Sequence, residues 1–160
     1  MQRNRLAVYS ATSAASFVIF AASIFALDLP AQSASAKTTS LNLIEHATSD
    51  TVTDTGAKGD SAGDLLTFAN DVYDAKDAQK VGSDSGWCIR VVAGKSWECF
   101  WTLTLTDGQI TVEGPFLDGG DSVVAVTGGT GKYRGARGEM ALHARDAKGS
   151  AYDFKYTLIK

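Results

Sequence analysis

Residues 96–116 read SWECFWTLTLTDGQITVEGPF, and this stretch decides the fold class. Large apolar side chains recur at every second position on both sides of Asp107-Gly108, with Thr or Glu at most positions between them. A period of two is typical of a β-strand with one buried face, and an Asp-Gly pair between two such runs favours a tight hairpin turn. The stretch predicts two paired antiparallel strands, with Pro115 near the end of the second, where its missing N–H does least harm.

The same alternation recurs after Lys37 in short runs separated by Gly, Asp, Asn or Ser, and no stretch keeps helical periodicity over three turns. The runs predict an all-β domain whose eight antiparallel strands close into a β-barrel, because closure removes exposed sheet edges. An open two-sheet sandwich is the alternative. The predicted strands are Leu41–Thr48, Asp64–Asn70, Lys80–Val92, Ser96–Thr106, Gln109–Phe116, Ser122–Thr127, Gly138–Arg145 and Ser150–Ile159.

The composition fits one globular domain: the 160 residues are 44% hydrophobic and 21% charged. Lys and Arg total 15 against 18 Asp and Glu, which gives a net charge of −3, and no basic cluster occurs. The electrostatic footprint of a nucleic-acid-binding protein is therefore missing, and we expect no nucleic-acid partner. The only histidines, His46 and His143, are too few for a typical zinc site, so we predict no metal site.

Residues 1–36 have the pattern of a secretory signal peptide. Arg3 and Arg5 precede an uncharged stretch, residues 6–27, and residues 34–36 (Ala-Ser-Ala) supply small side chains at a cleavage-site spacing. We expect cleavage to leave a secreted barrel domain of residues 37–160 with no further membrane association. An uncleaved membrane anchor is the alternative, since 22 uncharged residues could just span a bilayer.

Cys88 and Cys99 are the only cysteines of the chain. The residues between them form two strand-like arms around Ala93-Gly94, so folding about that turn sets the cysteines directly opposite each other. Opposed Cα atoms in antiparallel strands lie about 4.5–5.5 Å apart, within range of a disulfide, and an exported chain reaches a compartment where that bond persists. We predict a Cys88–Cys99 disulfide; two free buried thiols are the alternative.

Two polar side chains share strand faces with apolar ones: Glu45 lies on the face of Leu43, and Asn70 on the face of Phe68. A carboxylate inside an apolar barrel loses hydration, which raises its pKa. Such a group suits a general base or a stabiliser of developing positive charge. The alternative is that Glu45 reaches solvent at its strand end or pairs with Arg90.

Several blocks of the chain carry a resemblance to a known family. Residues 63–73 read GDLLTFANDVY, residues 108–117 read GQITVEGPFL, and residues 121–138 read DSVVAVTGGTGKYRGARG, with Val81-Gly82 and Gly86-Trp87-Cys88 between the first two. In this order the blocks resemble an allene oxide cyclase, a β-barrel family to which plant dirigent proteins are structurally related. They span most of the chain that follows the predicted signal peptide.

The resemblance implies an eight-stranded barrel, often assembled as a homotrimer, that encloses an apolar cavity and steers the cyclisation of a reactive intermediate without a cofactor. It assigns Glu45 to epoxide opening and charge delocalisation, and Asn70 to holding a water on the epoxide oxygen. Ala47 replaces an asparagine that plant cyclases carry two residues after the glutamate, so we expect a substrate other than an allene oxide. The resemblance and strand parity together place in the cavity Phe68, Cys88, Trp97, Trp101, Phe116, Phe154 and Tyr156.

Two functions remain open at this point. The first is a cofactor-free cyclase or isomerase in which the cavity holds one conformer of an apolar reactive molecule while Glu45 and Asn70 stabilise charge as it develops. The second is a secreted carrier or dirigent-like protein that binds a hydrophobic small molecule without catalysis. Both use the same pocket.

Overall fold

The computed structural model describes residues 37–159, which form nine β-strands and one short 3-10 turn. The segment assigned to a signal peptide therefore lies outside the described residues. The strands are β1 (Thr38–His46), β2 (Thr51–Thr53), β3 (Leu65–Asp74), β4 (Lys80–Val92), β5 (Ser96–Leu105), β6 (Gly108–Leu117), β7 (Ser122–Gly129), β8 (Arg137–Ala144) and β9 (Ala151–Ile159), with the 3-10 turn at Gly131–Tyr133 between β7 and β8.

Eight of these strands close into an antiparallel barrel, as predicted, and the sandwich alternative is wrong. From β3 to β9 each strand pairs with the next along the chain, and β1 closes the circle by pairing with β9 on one side and β3 on the other. In the register of closure Glu45 lies opposite Val72 of β3 and Tyr152 of β9. Glu45 therefore lies in the part of β1 that is paired on both sides.

Strand β2 is the element that the sequence pattern did not predict. Its three residues pair with the first residues of β3, at Leu65–Thr67, while β1 pairs with the other end of the same strand, at Asp71–Asp74. A run of three residues is too short to show alternation. Pairing with β1 extends β3 beyond its predicted end at Asn70, because β1 needs a partner there to complete the barrel.

The β5–β6 hairpin forms with a shifted turn. Leu105 pairs with Gly108, so the two turn residues are Thr106 and Asp107. Pro115 lies within β6 opposite Glu98, beyond the part of β6 that pairs with β7, which ends at Glu113. Its missing N–H therefore removes no bond to β7.

The barrel interior is filled by the alternating apolar side chains of all eight strands. Gly86 marks one place where a missing side chain is needed, because it lies opposite both Phe68 and Trp101. A Cβ there would collide with the backbone of Phe100 and the side chain of Trp101. The space holds two aromatic rings instead, packed edge to face with centroids 6.2 Å apart.

The predicted disulfide is confirmed: Cys88 and Cys99 are bonded, and the described residues contain no free cysteine. The two residues are direct partners across β4 and β5, with Cα atoms 4.0 Å apart. Both are buried and point into the barrel. Within residues 37–159 no helix is long and apolar enough to cross a membrane.

Replacing both cysteines by alanine should lower the free energy of unfolding by about 3 kcal/mol, because the bond closes a loop over a sequence separation of 11 residues and restrains the unfolded chain. Urea unfolding without reductant measures the difference. Adding reductant should destabilise the wild type and leave the double variant unchanged. Equal stability of the two oxidised proteins would contradict a restraining role for the bond.

Candidate functional site

A pocket of about 70 Å³ lies at one end of the barrel. Its walls come from the last residues of β1, β4, β6 and β8 and from the first half of β3, β5 and β9, which meet at this end because the strands are antiparallel. Five of the lining residues are aromatic and the Cys88–Cys99 disulfide forms part of the wall. The lining residues are Glu45, Asp50, Leu66, Phe68, Cys88, Cys99, Trp101, Phe116, Leu142, Tyr152 and Phe154.

Six of the side chains proposed from the sequence lie together in this pocket: Glu45, Phe68, Cys88, Trp101, Phe116 and Phe154. Tyr156 does not line it, because it lies deeper in β9, fully buried and in edge-to-face contact with Phe154. Trp97 also lies elsewhere, although its parity is inward. Its ring packs under the guanidinium of Arg90, 3.9 Å from the ring centroid, and lines a separate cavity.

Arg90 does not pair with Glu45. Its guanidinium forms ion pairs with Asp60 and Asp118, both at 2.6 Å. The two aspartates come from the loop before β3 and the loop after β6, so both loops converge on this buried arginine. The alternative in which Arg90 neutralises Glu45 is therefore wrong, and no lysine or arginine lines the pocket.

Glu45 is 5% exposed and its carboxylate lies at the pocket wall. Burial raises its pKa to about 7, against a hydrogen bond from Asn70 that lowers it and the nearby charge of Asp50 that raises it further. The other alternative, a carboxylate that reaches solvent, is also wrong. At neutral pH the group is divided between its acid and its carboxylate forms.

Asn70 holds Glu45 in place. Its side-chain oxygen accepts hydrogen bonds from the backbone N–H groups of Thr48 and Ser49, each at 3.0 Å. Because those groups can only donate, the amide nitrogen must face the other way, where it donates to Glu45 Oε1 and to Asp50 Oδ1, both at 2.8 Å. Both amide hydrogens are thus used by carboxylates. In this arrangement Asn70 offers no free donor to a water in the pocket.

Asp84 is a buried carboxyl group that the sequence analysis missed. It is 1% exposed, lies directly opposite Asn70 across β3 and β4, and has no hydrogen bond of ordinary geometry to either carboxyl oxygen. Burial, and then the nearby charge of Glu45, raises its pKa to about 9. Its parity matches that of Cys88 and Arg90, so alternation along β4 marks it as inward-facing.

Burial raises the pKa of both Glu45 and Asp84, and the charge of Glu45 raises that of Asp84 further, so near neutral pH the pair carries at least one proton. Two carboxylates so close in an apolar interior cannot both ionise at low cost. Glu45 is the member of the pair that lines the pocket and accepts the bond from Asn70. In residues 37–159 no group of three or more His, Cys, Asp or Glu side chains is placed to hold a metal ion.

The raised pKa of Glu45 predicts a pH-dependent stability. Between its ordinary pKa of 4.5 and the folded value of about 7, the folded protein keeps a proton that the unfolded chain loses, so stability falls as the pH rises through this range. Compared with a Glu45→Gln variant, the wild type should lose about 2 kcal/mol of unfolding free energy between about pH 5 and about pH 8. Urea unfolding at both pH values measures this.

Glu98→Gln is the matched control, because Glu98 is exposed on the outer face of β5. That variant should follow the wild type across the same pH range. If wild type and Glu45→Gln change in parallel, Glu45 has an ordinary pKa and the assigned burial cost is wrong.

The fold is similar to that of several solved structures. They include a pyocyanin demethylase (24% identity, covering 74% of this chain and 99% of that one, TM-score 0.64). A pterocarpan synthase dirigent protein, GePTS1, matches at 16% identity over 78% of this chain and 87% of that one, TM-score 0.62. AbnU, an exo-specific intermolecular Diels-Alderase, matches at 16% identity over 78% and 99%, TM-score 0.64.

A family model described as allene oxide cyclase matches residues 37–148. The match begins one residue before β1 and ends in the loop between β8 and β9, so it includes Glu45, Asn70 and Asp84. This confirms the resemblance drawn from residues 63–138. The chain belongs to the allene oxide cyclase family.

Proposed function

We propose that this protein binds an apolar small molecule in the barrel pocket and steers its isomerisation or cyclisation. The observation that carries the proposal is the buried carboxylate of Glu45, which lines an otherwise largely apolar, aromatic pocket and is oriented by Asn70. The similarity to a Diels-Alderase and to a pterocarpan synthase dirigent protein supports a barrel of this kind.

Glu45 supplies the negative charge that acts on the bound molecule during the reaction. In its carboxylate form it stabilises positive charge that develops on a bound molecule, or takes a proton from one atom and returns it to another, so that the net reaction is an isomerisation. A pKa of about 7 suits both directions of proton transfer at neutral pH. Asp84 acts through Glu45, because as the neutral acid it leaves the pair with a single negative charge.

The pocket walls restrict the shape of the bound molecule. Phe116 and Tyr152 pack edge to face at 5.9 Å near the mouth, and Trp101 and Phe154 lie 6.1 Å apart deeper in. Burial, followed by the charge of Glu45, raises the pKa of Tyr152 to about 12, so its hydroxyl stays protonated and can donate to a polar atom of the ligand. Positioning of this kind lowers a barrier by several kcal/mol.

A non-catalytic carrier is the second candidate function. The observation that favours it is the full use of the Asn70 amide by Glu45, Asp50 and the backbone, which leaves no free amide donor to hold a reacting water. A carrier would use the same aromatic walls and would not depend on the protonation of Glu45 for binding of a neutral molecule.

We also propose that the protein is exported and assembles as a homotrimer. The Cys88–Cys99 disulfide supports a secreted protein, because such bonds persist in oxidising compartments. A homotrimer is supported by an apolar stripe on the outer face of β4, where Trp87, Ile89 and Val91 are exposed. Side chains of this size in a row on one strand are typical of an interaction surface.

Glu45→Gln should reduce turnover by about 100-fold or more while leaving the affinity for a neutral ligand within about threefold, because the charge acts mainly in the transition state. The ligand is first identified by native mass spectrometry of protein from its own host, and turnover and affinity are then measured with it. Glu98→Gln should match the wild type in both. Unchanged turnover in Glu45→Gln, or no turnover by the wild type, would favour the carrier.

A further inference from the structure

We propose that the pocket selects ligands that carry a positive charge, as a protonated or quaternary nitrogen, over neutral molecules of the same shape. The inference rests on the proposed function in one respect, namely that the pocket binds a small molecule. It goes further by narrowing the apolar molecule of the proposed function to one whose apolar frame carries a single positive charge.

The charges around the pocket are of one sign. Glu45 and Asp50 line it, and the buried carboxyl group of Asp84 lies behind Glu45. None of the lining residues is Lys, Arg or His. The buried Arg90 is already paired with two other aspartates, Asp60 and Asp118. A buried carboxylate is normally stabilised by a cation or by several donors, and no cationic side chain on the pocket wall stabilises Glu45.

The donors to these carboxylates are few and neutral. Asn70 donates one amide hydrogen to each of Glu45 and Asp50, and its remaining bonds fix its orientation. An amide lowers the pKa of Glu45 but does not cancel its charge. Asp84 adds a weak hydrogen bond to Glu45, because neither of its oxygens has a partner at ordinary hydrogen-bond geometry. A cation in the pocket would therefore meet negative charge at short range, inside a partly desolvated cavity where that attraction is weakly screened.

The aromatic walls favour the same class of ligand. Phe68, Trp101, Phe116, Tyr152 and Phe154 make up most of the apolar lining. The faces of aromatic rings attract cations through the ring quadrupole, and Trp and Tyr do so more strongly than Phe. The same rings offer apolar contact to a neutral molecule, so a comparison of ligands with equal shape isolates the contribution of charge.

The neighbouring cavity adds no net positive charge beside the pocket. A larger cavity of about 490 Å³ shares Phe116, Leu142 and Tyr152 with the pocket and lies between the β6–β7 and β8–β9 loops. Three aspartates line it against one lysine and one histidine, but Asp118 is paired with Arg90 and Asp121 with His143, so this cavity carries little net charge. These charged residues are Asp118, Asp121, Asp146, His143 and Lys148.

Binding of a cation should be linked to the ionisation of Glu45. The groups that face this carboxyl group are Asn70 from β3, Asp84 from β4, Asp50 from the β1–β2 loop, and Tyr152 and Tyr156 from β9. None of them is a cation. Because a cation favours the carboxylate form, its affinity should rise as the pH passes through about 7, while that of a neutral molecule should not.

The experiment compares choline with 3,3-dimethylbutan-1-ol, which has the same shape and no charge. The wild-type protein is titrated at about pH 8 and about pH 5, with the indole N–H signal of Trp101 followed by NMR. Choline should bind at least about tenfold more tightly than the alcohol at the higher pH, and this ratio should fall several-fold at the lower pH. Equal affinities at the higher pH would overturn the inference and leave the proposed function standing. Absence of choline binding at both pH values would also overturn the inference, whereas the proposed function is tested separately by the turnover of Glu45→Gln.

Variants then assign the preference to the two acids. Glu45→Gln and Asp50→Asn should each lower the choline preference several-fold, whereas Glu98→Gln, with the same loss of charge on the outer face, should keep the wild-type ratio. Asp50 lies at the exposed rim, so Asp50→Asn tests the inference even if Glu45→Gln fails to fold. A wild-type preference retained in Asp50→Asn and in any folded Glu45→Gln would overturn the inference.

Discussion

The hydrogen bond from the Asn70 amide to Glu45 is the constraint on which the rest of the site depends. It joins β3 to β1 inside the barrel, close to where β1 closes the circle of strands. The backbone N–H groups of Thr48 and Ser49 fix the direction of that amide, so the loop after β1 is part of the same arrangement. The Asn70 side chain therefore links the orientation of the buried acid to the strand pair that closes the barrel.

Burial without a cation determines the chemistry that this acid can perform. In other parts of the fold, charged side chains are paired, as Arg90 is with Asp60 and Asp118. Glu45 and Asp84 each lie beside another acid instead, and two carboxylates in one apolar space cannot both ionise at low cost. The same lack of a counter-charge keeps one proton available near neutral pH and leaves the pocket negative. The proposed proton transfer and the proposed ligand charge thus rest on the same structural fact.

The sequence predicted the barrel and much of the pocket because strand parity reports which side chains face inward. It placed Glu45 and Phe68 correctly and led to the disulfide. Parity does not report depth along the barrel, which is why Trp97 was assigned to the pocket and lies beside Arg90 instead.

The sequence pattern did not identify Asp84 for a different reason. Its parity matches Cys88 and Arg90, but its nearest neighbours on that face are Gly82 and Gly86, which carry no apolar side chain, so the local pattern around it is weak. Asp50 lies on a loop whose path depends on the hydrogen bonds of Asn70, and no local pattern encodes those.

The disulfide has a consequence beyond holding two strands together. Its sulfur atoms form part of the pocket wall, and two separate thiols need more room than a bonded pair, so reduction would reshape that wall as well as release the two strands. The shape of the pocket is therefore sensitive to the redox conditions around the protein.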